Sequence, residues 1–260
     1  RDLIAQGREL PNDLISELTQ AAMSHDDPLT DAEMLSMLVQ ILVGGNETTT
    51  SLITNLVWRL LEDRSRWNAV VNNPELIDVA IEESLRFDPP VLGLYRTTTC
   101  PVTMSETEIP SDEKVMVLYA SANRDPAAWE DPDTFRLDRD LNQLRRHLSF
   151  GFGLHVCPGA ALSRTETRIA LRKLIEQFPT LELDGEPERI ETFLLWGKRT
   201  LPVKWRGKDL YHCISGEYTA FWLPIAFPAS AMSSCPVSDL AAGEHKNKMC
   251  AAVSSGLCKR

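Results

Sequence analysis

The sequence lacks the features that mark membrane-spanning and nucleic-acid-binding proteins. No segment contains eighteen or more consecutive apolar residues, so no transmembrane helix is predicted. Its 27 lysines and arginines are outnumbered by 37 aspartates and glutamates, and the net charge of −10 disfavours binding of nucleic acid through the overall field. The chain opens on Arg1, with neither an initiator methionine nor a signal peptide. We therefore expect a soluble, cytoplasmic protein that is truncated at its start.

Cysteine is scarce in most of the chain, since only Cys100 and Cys157 precede a cluster of four near the end. This scarcity is typical of a reducing compartment. The terminal cysteines and histidines leave zinc binding open as an alternative, but no pair has the two-to-four-residue spacing of a zinc knuckle. Residues 207–260 show no lasting periodicity, so we expect one partial domain at 1–206 and an unassigned, weakly ordered extension at 207–260.

A long helix is predicted from residue 31 to about residue 62. Thr30 and Glu33 have the spacing of a capping box, and apolar residues follow at helical spacing: Met34, Leu35, Leu38, Ile41 and Leu42. Its middle, residues 44–50, combines glycines with β-branched threonines, which lower helix propensity. A locally unfavourable stretch inside a long helix indicates a functional site.

The remaining periodic segments predict shorter helices and strands. One helix has Asn73 as its cap and covers 74 to about 87, where a proline pair stops it. Short strands are predicted at 92–99 and 114–119. A further helix covers 160 to about 178, with core positions at Leu162, Ile169, Leu171 and Leu174. The expected fold class is mainly α with small β-sheets (α+β).

A loop between Phe150 and Gly159 holds one cysteine among glycines. Glycine tolerates tight backbone conformations, so Gly151 and Gly159 allow the chain to fold around Cys157 and allow a flat group to approach it. The loop reads F-x-x-G-x-H-x-C-x-G and resembles the haem loop of the cytochrome P450 family, the haem-thiolate monooxygenases. A glycine-rich turn around an inert cysteine is the simpler alternative.

Two further motifs carry the same resemblance. Glu83 and Arg86 form E-x-x-R, and Arg139 matches the third member of the buried triad that supports the haem loop in the family. Taken alone, E-x-x-R is more often a surface ion pair. In the long helix, Gly44, Gly45, Glu47 and Thr48 match the oxygen-activation motif, in which small residues leave room for dioxygen and the polar pair delivers protons. A helix crossing that needs small residues is the alternative.

The resemblance, from about residue 3 to 205, implies a cofactor and a reaction. Cys157 would be the axial thiolate of haem b (iron protoporphyrin IX), bound with Phe150, Gly151 and Gly159, while Arg96 and His155 would contact its propionates. The fold expected is the carboxy-terminal part of a soluble, bacterial-type cytochrome P450.

Its activity would be the insertion of one atom of dioxygen into a small hydrophobic organic substrate. The electrons would come from a ferredoxin or similar carrier, because no flavin or iron–sulfur motif is visible. Arg164, Arg168 and Arg172 recur along one helix face, which would either dock an acidic carrier or be merely solvated. The family's amino-terminal half is absent from the chain, so an inert fragment that turns nothing over is the alternative function.

Overall fold

The computed structural model describes residues 2–24 and 27–205, and this part is mainly helical with four small antiparallel sheets, as the sequence predicts. The helices are α1 (Asp2–Ala5), α2 (Leu14–Met23), α3 (Asp31–Glu62), α4 (Arg64–Asn72), α5 (Leu76–Phe87), α6 (Tyr119–Ala122), α7 (Leu141–Leu144) and α8 (Ala160–Gln177). No helix in these ranges is long and apolar enough to cross a membrane. The extension expected at 207–260, including the candidate zinc ligands, lies outside the described residues.

Each sheet consists of two antiparallel strands. The strands are β1 (Gly93–Thr97), β2 (Val102–Met104), β3 (Thr107–Ile109), β4 (Lys114–Leu118), β5 (Glu182–Leu183), β6 (Glu188–Arg189), β7 (Lys198–Thr200) and β8 (Val203–Lys204). β1 pairs with β4, β2 with β3, β5 with β8 and β6 with β7. β1 and β4 lie within the two strands predicted from the sequence, and Arg96 on β1 is opposite Val115.

The start of α3 follows the predicted capping box. The backbone N–H of Thr30 donates to the Glu33 carboxylate at 2.9 Å, and the N–H of Glu33 donates back to the Thr30 hydroxyl at 3.2 Å. These reciprocal bonds satisfy two N–H groups that the first turn would leave without partners. The helix contains 32 residues, about 48 Å at the rise of an α-helix.

The prediction was wrong in detail between α3 and α5. Asn73 does accept the N–H of Glu75 at 3.3 Å, but 74–75 form a turn and α5 begins at Leu76. Helix α4 was not predicted from the sequence. Its N-cap, Asp63, accepts the N–H of Ser65 at 2.9 Å, a local signal that could have revealed the helix start.

The described residues form two compact units, the first ending at Thr48 and the second beginning at Thr49. The hydrophobic core of the second unit contains the carboxy-terminal half of α3 and one face each of α4, α5 and α8, with these residues almost fully buried: Leu52, Leu56, Leu60, Trp67, Val70, Ile77, Ile81, Leu85 and Leu171. The Trp67 indole N–H donates to the Pro179 carbonyl at 2.9 Å, so its polar atom is satisfied inside the core.

Two predicted core positions of α8 were wrong. Leu162 and Ile169 are 61% and 58% exposed, whereas Leu171 is 1% exposed. At about 100° per residue, Leu162 and Ile169 lie roughly 180° and 200° around the helix from Leu171. The apolar residues of α8 therefore occupy two opposite faces, and only the face shared by Leu171 and Ile175 packs into the core.

Candidate functional site

The predicted cysteine loop is a tight turn closed by its own backbone. Gly151 and Gly153 both have φ near +74°, a left-handed conformation that side-chain-bearing residues rarely adopt. A short 3₁₀ turn covers Gly153–His155, and the N–H of Cys157 donates to the Phe150 carbonyl at 2.8 Å. Gly159 follows as the N-cap of α8, and a Cβ at that position would lie 3.7 Å from the Cys157 sulfur. The chain therefore wraps closely around the thiol.

The loop carries apolar side chains that the fold does not cover. Phe152, Leu154 and Val156 are 85%, 83% and 54% exposed, while the Cys157 thiol beside them is half-buried. A contiguous exposed apolar patch is typical of a binding surface. His155, in the same loop, and Arg96, on β1, are exposed and available to anionic groups. A single thiol donor, an apolar contact surface and two cationic-capable side chains fit a haem.

The structure brings Glu83, Arg86 and Arg139 into direct contact. Arg86 donates to both Glu83 carboxylate oxygens at 2.7 and 2.8 Å, and Arg139 donates to one of them at 3.2 Å. All three side chains are buried, and the remaining guanidinium donors bond to backbone carbonyls of the irregular segment 123–134. The two arginines thus tie this segment to α5.

Asn123 connects this triad with the start of the cysteine loop. Its carbonyl accepts from Arg86 at 3.0 Å, while its side chain accepts the N–H of Leu148 at 2.7 Å and donates to the Ser149 hydroxyl at 2.8 Å. Ser149 in turn donates to the Leu85 carbonyl at 2.6 Å. Asn123 is fully buried. It was not predicted as a site residue, because nothing local in the sequence indicates contacts more than twenty residues away.

A second buried carboxylate, Glu82, was also missed. It accepts from His147 at 3.0 Å and from Arg164 through two nitrogens at 2.5 and 3.0 Å. Burial alone would raise the pKa of Glu82, but the hydrogen bonds from His147 and Arg164, with the Arg164 charge, outweigh it and lower the pKa to about 2. Glu82 is therefore ionised at neutral pH.

Two of the three arginines expected to form a basic face along α8 are paired with carboxylates of the same chain. Arg164 binds Glu82, and Arg168 binds Asp78 at 2.7 Å. Both carboxylates lie on α5, so these arginines dock α8 against α5. This corrects the expectation of a free basic face formed by Arg164, Arg168 and Arg172, since two of its three cations have partners within the chain.

The four predicted oxygen-activation residues lie on α3, in the first unit, whereas the cysteine loop lies in the second. The Thr48 hydroxyl donates to the Gly44 carbonyl at 2.6 Å, so this side chain bonds back into the helix. No atom lies within 4 Å of where a Cβ would stand at Gly45, and Glu47 is half-buried.

Comparison with known proteins agrees with this geometry. The family model described as Cytochrome P450 matches residues 67–205, which include the triad and the cysteine loop. The chain belongs to the cytochrome P450 family. It is 38% identical over 207 residues to Cytochrome P450 107B1 of Saccharopolyspora erythraea, covering 78% of this chain and 50% of that protein. It is also 38% identical over 198 residues to the cytochrome P450 monooxygenase PikC of Streptomyces venezuelae, covering 75% and 47%.

The fold matches solved P450 structures equally well. CYP109E1 from Bacillus megaterium, in complex with testosterone, aligns with a TM-score of 0.71 at 34% identity, covering 80% of this chain and 57% of that one. CYP109Q5 from Chondromyces apiculatus aligns with a TM-score of 0.72 at 34% identity, covering 79% and 53%. This P450 chain spans about half the length of the curated relatives it matches.

Proposed function

We propose that this chain is the carboxy-terminal, haem-binding part of a haem-thiolate monooxygenase, with Cys157 as the axial ligand of haem b. The observation that carries the proposal is the half-buried Cys157 thiol at the centre of a loop whose apolar side chains are exposed. The thiolate is the only sulfur donor offered by this loop. Family membership supports haem and iron as the cofactor and monooxygenation as the reaction class.

When bound, haem with an axial thiolate supplies the activation of dioxygen and its insertion into a C–H bond. The residues of the chain bind and orient this group. Cys157 gives its sulfur, Phe152 and Leu154 offer apolar contact, and His155 and Arg96 pair with the propionates, which would be costly to bury alone.

Proton delivery falls to α3 in this proposal. The Thr48 hydroxyl, which bonds to the Gly44 carbonyl, holds a proton at Oγ1. Glu47 is half-buried, so its carboxylate can exchange protons with solvent. The absence of side chains at Gly44 and Gly45 leaves space along the helix for a diatomic ligand and water.

The substrate is proposed to be a small hydrophobic organic molecule, and the electron donor a ferredoxin or similar carrier. Relatives of this chain are named as a steroid C26-monooxygenase of Mycolicibacterium smegmatis and an erythromycin C-12 hydroxylase of Saccharopolyspora erythraea. Both names refer to the oxidation of an organic molecule, so they support an organic substrate for this chain and no individual one.

The alternative function is an inert fragment that takes up no haem, although relatives of the chain are named as monooxygenases. Titration of the purified 260-residue chain with haem separates the two. Under carbon monoxide, the proposed function predicts the shifted Soret band of thiolate ligation, its loss in Cys157→Ser and its retention in Cys100→Ser. No haem uptake by the unaltered chain would support the inert fragment. Loss of the band in Cys100→Ser but not in Cys157→Ser would show that Cys157 is not the iron ligand.

A further inference from the structure

Two consecutive carboxylates on α5 are buried, and they bond to different parts of the fold. Glu83 binds the arginines that hold the irregular segment before the loop. Glu82, 3% exposed, instead binds one residue on each side of the loop itself: His147, three residues before Phe150, and Arg164, seven residues after Cys157. One carboxylate on a rigid helix therefore fixes both ends of the cysteine loop.

The hydrogen-bonding roles within this cluster follow from its donors. The N–H of Ser149 donates to His147 Nδ1 at 3.2 Å, so Nδ1 accepts and Nε2 carries the hydrogen that His147 donates to Glu82. The opposite charges of Glu82 and Arg164 compensate each other within the cluster. A buried carboxylate with a forked guanidinium partner and a second donor is well compensated and rigid.

A path of direct contacts leads from this cluster to the proposed ligand. The Arg164 guanidinium lies 4.5 Å from the centre of the Phe150 ring, and the His147 ring centre lies 5.7 Å from the same ring. The Phe150 carbonyl accepts the N–H of Cys157. The hydrogen bond that closes the loop therefore depends on a residue held between the two partners of Glu82.

We propose that Glu82, His147 and Arg164 form a positioning cluster that fixes the Cys157 loop in the conformation needed to ligate the haem iron. This inference rests on the proposed function, because the cluster is proposed to hold the loop so that Cys157 can ligate the iron. Its residues are positioning residues, since they act on Cys157 through Phe150 and the loop backbone. The competing explanation is that Glu82 and Arg164 merely dock α8 onto α5.

The chain offers a matched control for that competing explanation. Asp78 and Arg168 form a second α5–α8 ion pair, each four residues from its counterpart in the Glu82–Arg164 pair. Both pairs join the same two helices, but only Glu82 also contacts His147 at the start of the loop. Glu82→Gln and Asp78→Asn each remove one carboxylate charge while preserving shape. Because the Asp78 side chain is 41% exposed and that of Glu82 only 4%, helix docking alone predicts a larger effect in Glu82→Gln. That effect would appear in α8 as much as in the loop.

The measurement is made on the 260-residue chain without haem. Hydrogen exchange is followed by mass spectrometry in peptides that cover the loop and, separately, α8, together with the rate at which iodoacetamide labels Cys157. In Glu82→Gln we expect the Cys157 amide to exchange, and its thiol to be labelled, about tenfold faster or more, with a much smaller change in the α8 peptides. In Asp78→Asn the loop should stay within about twofold of the unaltered chain.

Equal changes in the two variants, equal loosening of the loop and α8 in Glu82→Gln, or an unchanged loop in that variant would each overturn the proposal. If Glu82→Gln does not fold, Arg164→Lys provides the same test, because lysine keeps the charge but cannot bond to both carboxylate oxygens in a fork. The loop should again loosen selectively, and an unchanged loop in Arg164→Lys would also overturn the proposal. Because these readouts need no haem, a chain that fails to take up haem refutes the proposed function without deciding the positioning of the loop.

Discussion

Replacing Glu83 with glutamine should cost this chain a large share of its stability. The Glu83 carboxylate accepts four hydrogen bonds: two from Arg86, one from Arg139 and one from the backbone N–H of Arg136 at 2.8 Å. Glutamine fills the same space but carries no charge, and its NH₂ group would face a donor of one guanidinium. Two buried arginines would then lack their only carboxylate partner among the described residues.

The expected magnitude follows from the burial of this group. Glu83 and Arg86 have fully buried side chains, and the Arg139 side chain is 3% exposed. Breaking a buried ion pair by removing one partner typically costs about 3 to 5 kcal/mol. Small domains are usually stable by only about 5 to 15 kcal/mol, so this loss is a substantial part of the total. Part of it should appear as looser packing of segment 123–139, which the two arginines hold.

Urea unfolding followed by tryptophan fluorescence measures this change in the free energy of unfolding. The control is Glu62→Gln, because Glu62 is 44% exposed and pairs with Arg59 on the surface of α3, where the expected loss is about 0 to 1 kcal/mol. The reasoning would be refuted if Glu83→Gln and Glu62→Gln lost the same small amount. Such a result would mean that the triad's arginines find water or other partners when the carboxylate is neutralised.

Three further predictions concern a glycine contact, acid stability and the oxygen-activation residues. Gly197→Ala should destabilise the chain by about 1 to 3 kcal/mol, because the new Cβ would collide with the Ser51 side chain. In Gly45→Ala the new Cβ meets nothing within 4 Å, so this variant should stabilise α3 by up to about 1 kcal/mol. Urea unfolding measures both changes. The pKa of Glu82 is lowered to about 2 from 4.5, so its ionised form contributes roughly 3 kcal/mol to the free energy of unfolding. This contribution is complete above about pH 4.5 and is lost as the pH falls towards 2. The free energy of unfolding measured across this range should therefore vary less with pH in Glu82→Gln. In the haem-loaded protein, Thr48→Ala should divert reducing equivalents to peroxide while Thr48→Ser remains coupled, and equal peroxide yields would rule out a role for the hydroxyl.

The parts of the fold that the sequence predicted are those encoded by neighbouring residues. The capping box of Thr30 and Glu33 marks the start of α3 because both partners lie within one turn. The sequence pattern likewise identified the cysteine loop, where closely spaced glycines allow the positive φ angles that the structure contains. In both cases the structural requirement is local, so the residues that satisfy it stand next to one another in the sequence.

Most features that were missed or wrong depend on distant contacts, and α4, whose Asp63 cap is local, is the exception. Glu82 meets His147 and Arg164 across 65 and 82 residues, and no local pattern distinguishes its carboxylate from any other on a helix. The arginines of α8 looked like a free basic face for the same reason, since their partners lie on α5. The period of α8 could not decide which of its two apolar faces is buried, because that depends on what packs against it.

The cysteine loop explains why so much charge is buried behind it. Phe150 packs against the core, but the apolar side chains of Phe152 and Leu154 are exposed and contribute little to holding the loop. If the loop binds haem as proposed, these side chains would be buried by the ligand and not by the fold. Directional hydrogen bonds from the adjacent carboxylates Glu82 and Glu83 can fix the backbone instead. Glu82 binds residues on both sides of the loop. Glu83 binds Arg86, which bonds to Asn123, and Asn123 bonds to the residues just before the loop. A helix that only packed against the core would need neither carboxylate.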